Sequence, residues 1–262
     1  MHTPRKRFGQ NFLQDAGIIN SIISSLHIKK NEHFIEIGPG QGALTEPLLN
    51  KGIRLDVVEL DRDLVEVLVK KFDRYVNFNI YSADALTFNF SALAAEGEKL
   101  RVIGNLPYNI STPLLFHLLK YADCIEDMHF MLQKEVVDRM VASPGGRDYG
   151  RLSVMIQYHC HVEALFDVGP GSFTPAPKVN STIVRLEPYT YKPVEVTNTR
   201  IFRQVVSQAF SMRRKTIRNA LKQLMDEERI RACNINPDLR PEMLDVADYA
   251  RLAEKVPAQQ QA

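Results

Sequence analysis

A strand that breaks into three closely spaced glycines and resumes as a helix constrains this chain more than any other feature. His33-Phe-Ile-Glu-Ile37 reads as a short buried strand, Gly38-Pro-Gly40-Gln-Gly42 as a tight turn, and Ala43 to Lys51 as a helix. Glycine permits the sharp reversal and lets a ligand approach the backbone, which is why such units open parallel α/β sheets. The alternation continues downstream. Arg54 to Leu60 is a second strand, and Asp61 offers an N-cap to a helix whose Leu64, Val65, Leu68 and Phe72 share one face. Val76 to Tyr81 and Leu100 to Gly104 read as a third and fourth strand, and Ser111 caps a helix with Pro113 in its first turn. Met128 to Leu132 is a fifth strand, followed by helix Glu135 to Val141, and Val154 to Val162 and Ser181 to Leu186 are further strands. Strands alternating with helices specify an α/β fold of βαβ units with a mostly parallel sheet. Beyond Pro188 to Pro193 only helical stretches remain: Arg200 to Met212, Thr216 to Met225 and Pro241 to Glu254. The expected organisation is a first domain over residues 1–190 with a basic N-terminal arm, a small all-helical domain over 191–255, and a disordered Gln/Ala-rich tail over 256–262.

Charge is unevenly distributed behind a net of +2. Residues 1–30 carry +4, with Arg5, Lys6, Arg7, Lys29 and Lys30 against Asp15; residues 190–225 carry +7, residues 226–262 carry −3, and the body over 31–189 carries −6. An acidic body flanked by basic segments suits a polyanionic partner such as nucleic acid, the competing reading being solvated helix faces. Hydrophobic residues at 45% and charged residues at 24% exclude wholesale disorder. No apolar run approaches the ~18 residues of a membrane span. Three scattered cysteines, Cys124, Cys160 and Cys233, supply no disulfide framework, so a reducing cytoplasm is the expected setting. His159 and His161 alternate beside Cys160 without further residues at ligand spacing, so no metal site is expected.

The glycine turn by itself fits a nicotinamide dinucleotide, S-adenosylmethionine or no ligand at all. Glu59 closes the second strand 21 residues after Gly38, where a carboxylate can accept both hydroxyls of a ribose. Asp84 lies just past the third strand and can accept from an adenine amine, or simply cap a turn. Carboxylates without a partnering Lys or Arg suit a cationic sulfonium better than a pyrophosphate. Asn105-Leu106-Pro107-Tyr108 follows the fourth strand. The exocyclic amine of adenine is a poor nucleophile because its lone pair is delocalised into the ring. Two acceptors aimed at its N–H groups, the Asn105 side-chain oxygen and the Leu106 carbonyl, favour a pyramidal nitrogen whose lone pair can face an electrophile. Pro107 stiffens the turn and Tyr108 offers a face for stacking, so catalysis is by positioning and electrostatics. Phe173, held in a proline-rich loop, could stack on the other face of a flipped-out base, or be a core aromatic.

These motifs resemble the rRNA adenine N6-dimethyltransferase family, in its bacterial small-subunit branch. The similarity runs through Arg7-Phe-Gly-Gln10-Asn11-Phe-Leu13, the glycine turn, Asn105 to Thr112, Gln133 to Arg139, Tyr149 to Ser153, Phe173 to Val179 and Arg213 to Asn219, and spans about residues 5–255. The resemblance implies a Rossmann-like S-adenosylmethionine-dependent methyltransferase sheet with a small helical C-terminal domain. It implies transfer of four methyl groups to two adjacent adenosines near the 3′ end of 16S rRNA, on an assembling 30S subunit, by a monomer with no membrane partner. It also implies cofactor contacts from Asn11, Leu13, Gly38, Glu59, Asp84 and Asn105, and a target base held by Asn105 to Tyr108 and Phe173. Loss of such activity is associated with kasugamycin resistance. Arg213, Arg214, Lys215 and Arg218 are the expected contacts to rRNA phosphates, with a solvated helix face as the alternative. Competing functions are a 23S rRNA adenine methyltransferase of the macrolide-resistance type, a ribosome-assembly factor with a vestigial catalytic motif, and a nicotinamide-dependent oxidoreductase.

Overall fold

The structure, a computed structural model, describes residues 10–257; Arg5, Lys6 and Arg7 of the expected basic arm and residues 258–262 of the expected tail lie outside them. Nine strands run in chain order as β1 (Phe12–Leu13), β2 (His33–Ile37), β3 (Arg54–Glu59), β4 (Phe78–Ser82), β5 (Leu100–Asn105), β6 (Ile125–Gln133), β7 (Cys160–Val168), β8 (Phe173–Thr174) and β9 (Ser181–Pro188). The helices are α1 (Ala16–Ser25), α2 (Thr45–Leu49), α3 (Arg62–Phe72), α4 (Ser111–Leu118), α5 (Lys134–Val141), α6 (Arg151–Gln157), α7 (Thr199–Ser211), α8 (Ile217–Leu221), α9 (Glu227–Ala232) and α10 (Val246–Glu254). Among the described residues no helix is long and apolar enough to cross a membrane.

Seven strands form one sheet in the order β4-β3-β2-β5-β6-β9-β7. The first five are mutually parallel, and β9 is antiparallel to β6. Every residue of β2 is buried, as expected of a central strand covered on both faces. The strand order reverses between β2 and β5. In an open α/β sheet this switch point leaves a crevice at the carboxyl ends of the strands, the usual seat of a ligand. Two turns depend on glycine for close approach. A Cβ on Gly42, at φ +82°, would meet the Phe72 ring at 2.7 Å, and one on Gly104 would meet the Ile37 carbonyl oxygen at 2.6 Å. Gly104 therefore lets β5 deliver the tetrapeptide beside the end of β2.

A second, two-stranded sheet joins β1 to β8, with Phe12 opposite Thr174 and Leu13 opposite Phe173. Asp15 caps α1 through the N–H groups of Gly17 and Ile18, at 2.8 and 3.1 Å. Neither this pairing nor α1 is read from the sequence pattern.

The chain divides into two compact units. One holds the chain up to Val137 together with Glu163–Pro188, and the other holds Asp138–Val162 with the chain from Tyr189 onward. A single cut at residue 190 therefore misses residues 138–162, which cluster with the C-terminal helices. The expected strand over Val154 to Val162 is also corrected: α6 occupies Arg151–Gln157, and the strand starts only at Cys160. Leu152 to Ile156 are all buried and Val154 to Ile156 are apolar without interruption, and periodicity alone does not separate such a helix from a core strand. The C-terminal unit has its own aromatic core, with Tyr158 against Phe202 at 4.5 Å and Phe210 against Tyr249 at 5.7 Å between ring centroids. Ser111 starts α4 without capping it; its hydroxyl donates instead to the Tyr108 carbonyl at 3.1 Å.

Candidate active site

A cavity of about 360 Å³ opens at the switch point. Its walls come from the carboxyl ends of β2, β3 and β5, from Asp84 just beyond β4, and from the arm residues Gln10 to Leu13. The separate sequence expectations for Asn11, Leu13, Gly38, Glu59, Asp84, Asn105, Leu106, Pro107 and Tyr108 all fall on this one cavity.

Its electrostatics are set by acceptors. Glu36, Glu59 and Asp84 line it, and among the described residues no Lys, Arg or His does. Burial pushes the Glu36 carboxyl up to about 7; the Thr45 hydroxyl, donating at 2.6 Å, opposes that shift and the nearby Glu59 charge adds to it. Burial likewise raises Glu59, against hydrogen bonds from the N–H groups of Asp61 at 2.9 Å and Gly40 at 3.3 Å. The Leu60 N–H also opposes the shift, and a carboxylate's roughly four acceptor positions are not all filled by these contacts. Asp84 uses one oxygen to accept from the Leu86 N–H at 2.9 Å, so its turn-capping role coexists with a second oxygen at the cavity. The acceptor set fits a positively charged ligand with hydroxyl or amine donors. A pyrophosphate would find repulsion and, among the described residues, no counter-charge at the cavity wall.

At the adjoining end of β5, Asn105 donates its Nδ2 to the Asn11 carbonyl at 2.9 Å. A carbonyl only accepts, so this contact fixes the amide orientation and makes Oδ1 the uncommitted atom. Among the described residues, Oδ1 accepts no hydrogen bond. The Leu106 N–H donates to Met131 O at 3.3 Å, and the carbonyls of Pro107 and Tyr108 accept from the Ile110 N–H and the Ser111 hydroxyl. The Leu106 carbonyl accepts nothing among the described residues, while its side chain is 1% exposed. Two free acceptors thus stand side by side. Tyr108 is half-buried, its phenol lies 2.7 Å from Ser181 Oγ, and burial raises its pKa.

Of the two readings open for Phe173, the burial of its ring fits the core aromatic. Phe173 is 4% exposed and belongs to the core with Leu13, Val168 and Ile183, outside the cavity wall. Its contribution is to pin β8, which in turn holds β1 of the arm.

The basic cluster falls in the C-terminal unit, with Arg213, Arg214 and Lys215 on the turn between α7 and α8 and Arg218 in the first turn of α8. Arg218 is committed to Glu227 at 3.3 Å and Asp238 at 3.0 Å. Arg213 donates to the Arg147 carbonyl and lies 3.9 Å from Glu242. Arg214 and Lys215 are exposed and form no ion pair among the described residues. Sequence reasoning assigned no role to Glu36, although a carboxylate at the end of a core strand was a visible signal. It also passed over Ser181, for which no local signal exists.

The sequence model of the ribosomal RNA adenine dimethylase family matches residues 1–257. The chain is 57% identical to the ribosomal RNA small subunit methyltransferase A of Pseudomonas aeruginosa, over 97% of this chain and 95% of that protein. It is 54% identical to the protein of the same description from Hahella chejuensis, over 97% and 93%. Among solved structures, a dimethyladenosine transferase from Plasmodium falciparum matches with a TM-score of 0.77 at 26% identity, covering 92% of this chain and 95% of that one. The 23S rRNA methyltransferase ErmE matches with a TM-score of 0.73 at 25% identity, covering 94% and 99%. A family match along nearly the whole sequence, and relatives more than half identical over the same span, agree with the paired acceptors at the end of β5: this chain belongs to the ribosomal RNA adenine dimethylase family.

Proposed function

We propose that this chain dimethylates N6 of two adjacent adenosines near the 3′ end of 16S rRNA, using S-adenosylmethionine and acting as a monomer on the assembling 30S subunit in the cytoplasm. The observation that carries this reading is the pair of uncommitted acceptors, Asn105 Oδ1 and Leu106 O, at the edge of an acceptor-lined cavity. Bound in that cavity, S-adenosylmethionine supplies an electrophilic methyl group on a positively charged sulfur. Glu59 receives the ribose hydroxyls, Asp84 the adenine amine, and the backbone at Gly38 allows close approach, while Asn11 and Leu13 close the arm over the site. Asn105 and Leu106 accept from the target amine and turn its lone pair toward the methyl group. Tyr108 stacks on the target base. The amine proton becomes acidic only once the new bond has formed, so no base has to act before attack. The reaction is driven by near-attack positioning and fixed dipoles.

Radiolabelled transfer to unmethylated 30S subunits, with 50S subunits as control, tests the whole reading. N6,N6-dimethyladenosine from 30S alone is the expected product. Labelling of 50S alone would make the chain a 23S enzyme, and cofactor binding without transfer would leave an assembly factor.

Glu36 gives the site a pH dependence with a definite sign. Its ordinary value is 4.5 and burial raises it to about 7, so the folded protein keeps a proton there that the unfolded chain has lost. Its contribution to stability is full below about pH 4.5 and is lost as pH rises through about 7. A cationic ligand reverses the preference, because it favours the carboxylate. Affinity for S-adenosylmethionine should therefore rise with pH up to about 7, with proton release on binding at pH 6. Calorimetry in buffers of different ionisation enthalpy measures that release, and Glu36→Gln should abolish it.

The basic turn predicts a division of labour. Replacing Arg214 and Lys215 together by Ala should lower the slope of log affinity for 30S against log salt by about 1.5, since each phosphate contact contributes about 0.7–0.9. Arg218→Ala, whose charge is already spent on Glu227 and Asp238, should leave the slope unchanged. Equal slopes for the double variant and its parent would remove the turn from the interface.

A further inference from the structure

We infer that Ser181 is a positioning residue for methyl transfer: its hydroxyl tethers the tip of Tyr108 and holds the axis of the ring on which the target base stacks. The inference rests on the stacking role proposed for Tyr108, and its test separates the two.

The ring has reason to need a tether. A tyrosine can swing between staggered positions about its Cα–Cβ bond, and a half-buried ring at the mouth of a cavity is packed on only part of its surface. Its backbone is held at the near end by Pro107 and by the Ser111 hydroxyl on the Tyr108 carbonyl at 3.1 Å. These contacts fix the position of Cα and leave the ring axis free to swing. The far end is held by one contact, Tyr108 Oη to Ser181 Oγ at 2.7 Å, across 73 residues of sequence.

Ser181 is built as an anchor. It is fully buried, with 0% exposure, and stands at the first residue of β9, in register with Gln133 at the end of β6. The preceding Asn180 accepts from the Lys134 N–H at 3.0 Å, and the following Thr182 donates to Asp167 at 2.6 Å. The backbone on both sides is thereby fixed, and a serine has one short torsion through which to move. A group so placed has little value to the core, where an alanine would pack as well. Among the described residues its hydroxyl has one partner, the phenol. Burial disfavours the phenolate, so the contact is between neutral groups and persists across the working pH range.

The sequence places Ser181 two residues past the proline loop that contains Phe173. Phe173 pins β8 against β1, and Ser181, at the other end of the same loop, pins Tyr108. One short segment therefore fixes both the arm and the stacking ring.

Single-turnover methyl transfer to unmethylated 30S subunits, measured across subunit concentration, tests the inference. Ser181→Ala and Tyr108→Phe remove the same hydrogen bond from opposite ends. Each should lower the maximal rate roughly 3–10-fold, the loss expected of one neutral hydrogen bond, while the half-saturating subunit concentration and the S-adenosylmethionine affinity stay within about twofold. The double variant should be no slower than either single one, and Ser181→Thr should recover most of the rate. Independent, multiplying losses would make Ser181 a structural residue without a role through Tyr108. An unchanged rate in Ser181→Ala would overturn the tether outright. Tyr108→Ala is the separating control. A large loss there with no loss in Ser181→Ala leaves stacking intact and removes the tether, whereas no loss in Tyr108→Ala removes the stacking reading itself.

Discussion

Asn105→Ala should slow methyl transfer by about 10²–10³-fold, the loss typical when one preorganised polar group is removed from a reacting centre. Cofactor affinity should fall by no more than about fivefold, the equivalent of one neutral hydrogen bond. The asymmetry follows from the two ends of one amide. Nδ2 is occupied by the Asn11 carbonyl at 2.9 Å, a contact present before any substrate arrives. Oδ1 is held in place by that contact and waits for an amine hydrogen. Alanine removes an anchor of the arm, which weakens the cofactor site slightly, and removes an acceptor that matters most as the target nitrogen becomes positively charged. Single-turnover rates together with calorimetric cofactor binding separate the two effects. A rate loss matched by an equal loss of affinity would show that Asn105 serves the arm alone.

Arg101→Ala should destabilise the protein by about 3–5 kcal/mol, the range for breaking one side of a buried ion pair. Arg101 stands in β5 and is 6% exposed. Its guanidinium makes two contacts to Asp127, at 3.0 and 2.7 Å, and one each to Glu32 at 2.9 Å and the Leu26 carbonyl at 2.8 Å. Its cation also lies 4.8 Å from the centre of the Phe34 ring. Deleting it strands the Asp127 carboxylate, 3% exposed, in a site from which water is excluded. Thermal unfolding should move down by on the order of 10 °C. Adding Asp127→Asn should restore part of the loss, because the cost lies in the orphaned charge more than in the missing attraction. This network lies toward the start of β5 and the tetrapeptide at its end, so a destabilised but folded variant should keep its rate per folded molecule.

Much of the site was legible locally. Gly38 to Gly42, Glu59, Asp84 and Asn105 to Tyr108 each follow a strand. A strand–turn–helix unit announces itself within about ten residues through apolar runs, glycine and capping side chains. Once those strands are parallel neighbours, their carboxyl ends must converge on one edge of the sheet. The convergence was thus implied by the pattern, even though no single motif contained it. The misreadings have an equally physical origin. Leu152 to Ile156 form a helix buried on every side, which erases the alternation of apolar and polar residues that would reveal its period. Phe12–Leu13 and Phe173–Thr174 are two-residue strands, too short to carry any period. Phe173 shows the limit of a motif as a guide to a side chain: the loop left two readings open, and the ring is buried in the core.

The sequence by itself determined the order of the strands and helices of the parallel sheet, the glycine turns that admit a ligand, the acidic character of the cleft and the residue types that meet an adenine amine. These are local properties, fixed by neighbours a few positions apart. Only the tertiary structure decided which atoms of those residues are already engaged and which remain free. The Asn105 amide is oriented by a carbonyl 94 residues away, and the Tyr108 phenol is met by a serine 73 residues away. Such bonds form between segments that approach only when the whole sheet closes, so no periodicity or spacing encodes them. Their donor and acceptor geometry is a consequence of the packed fold.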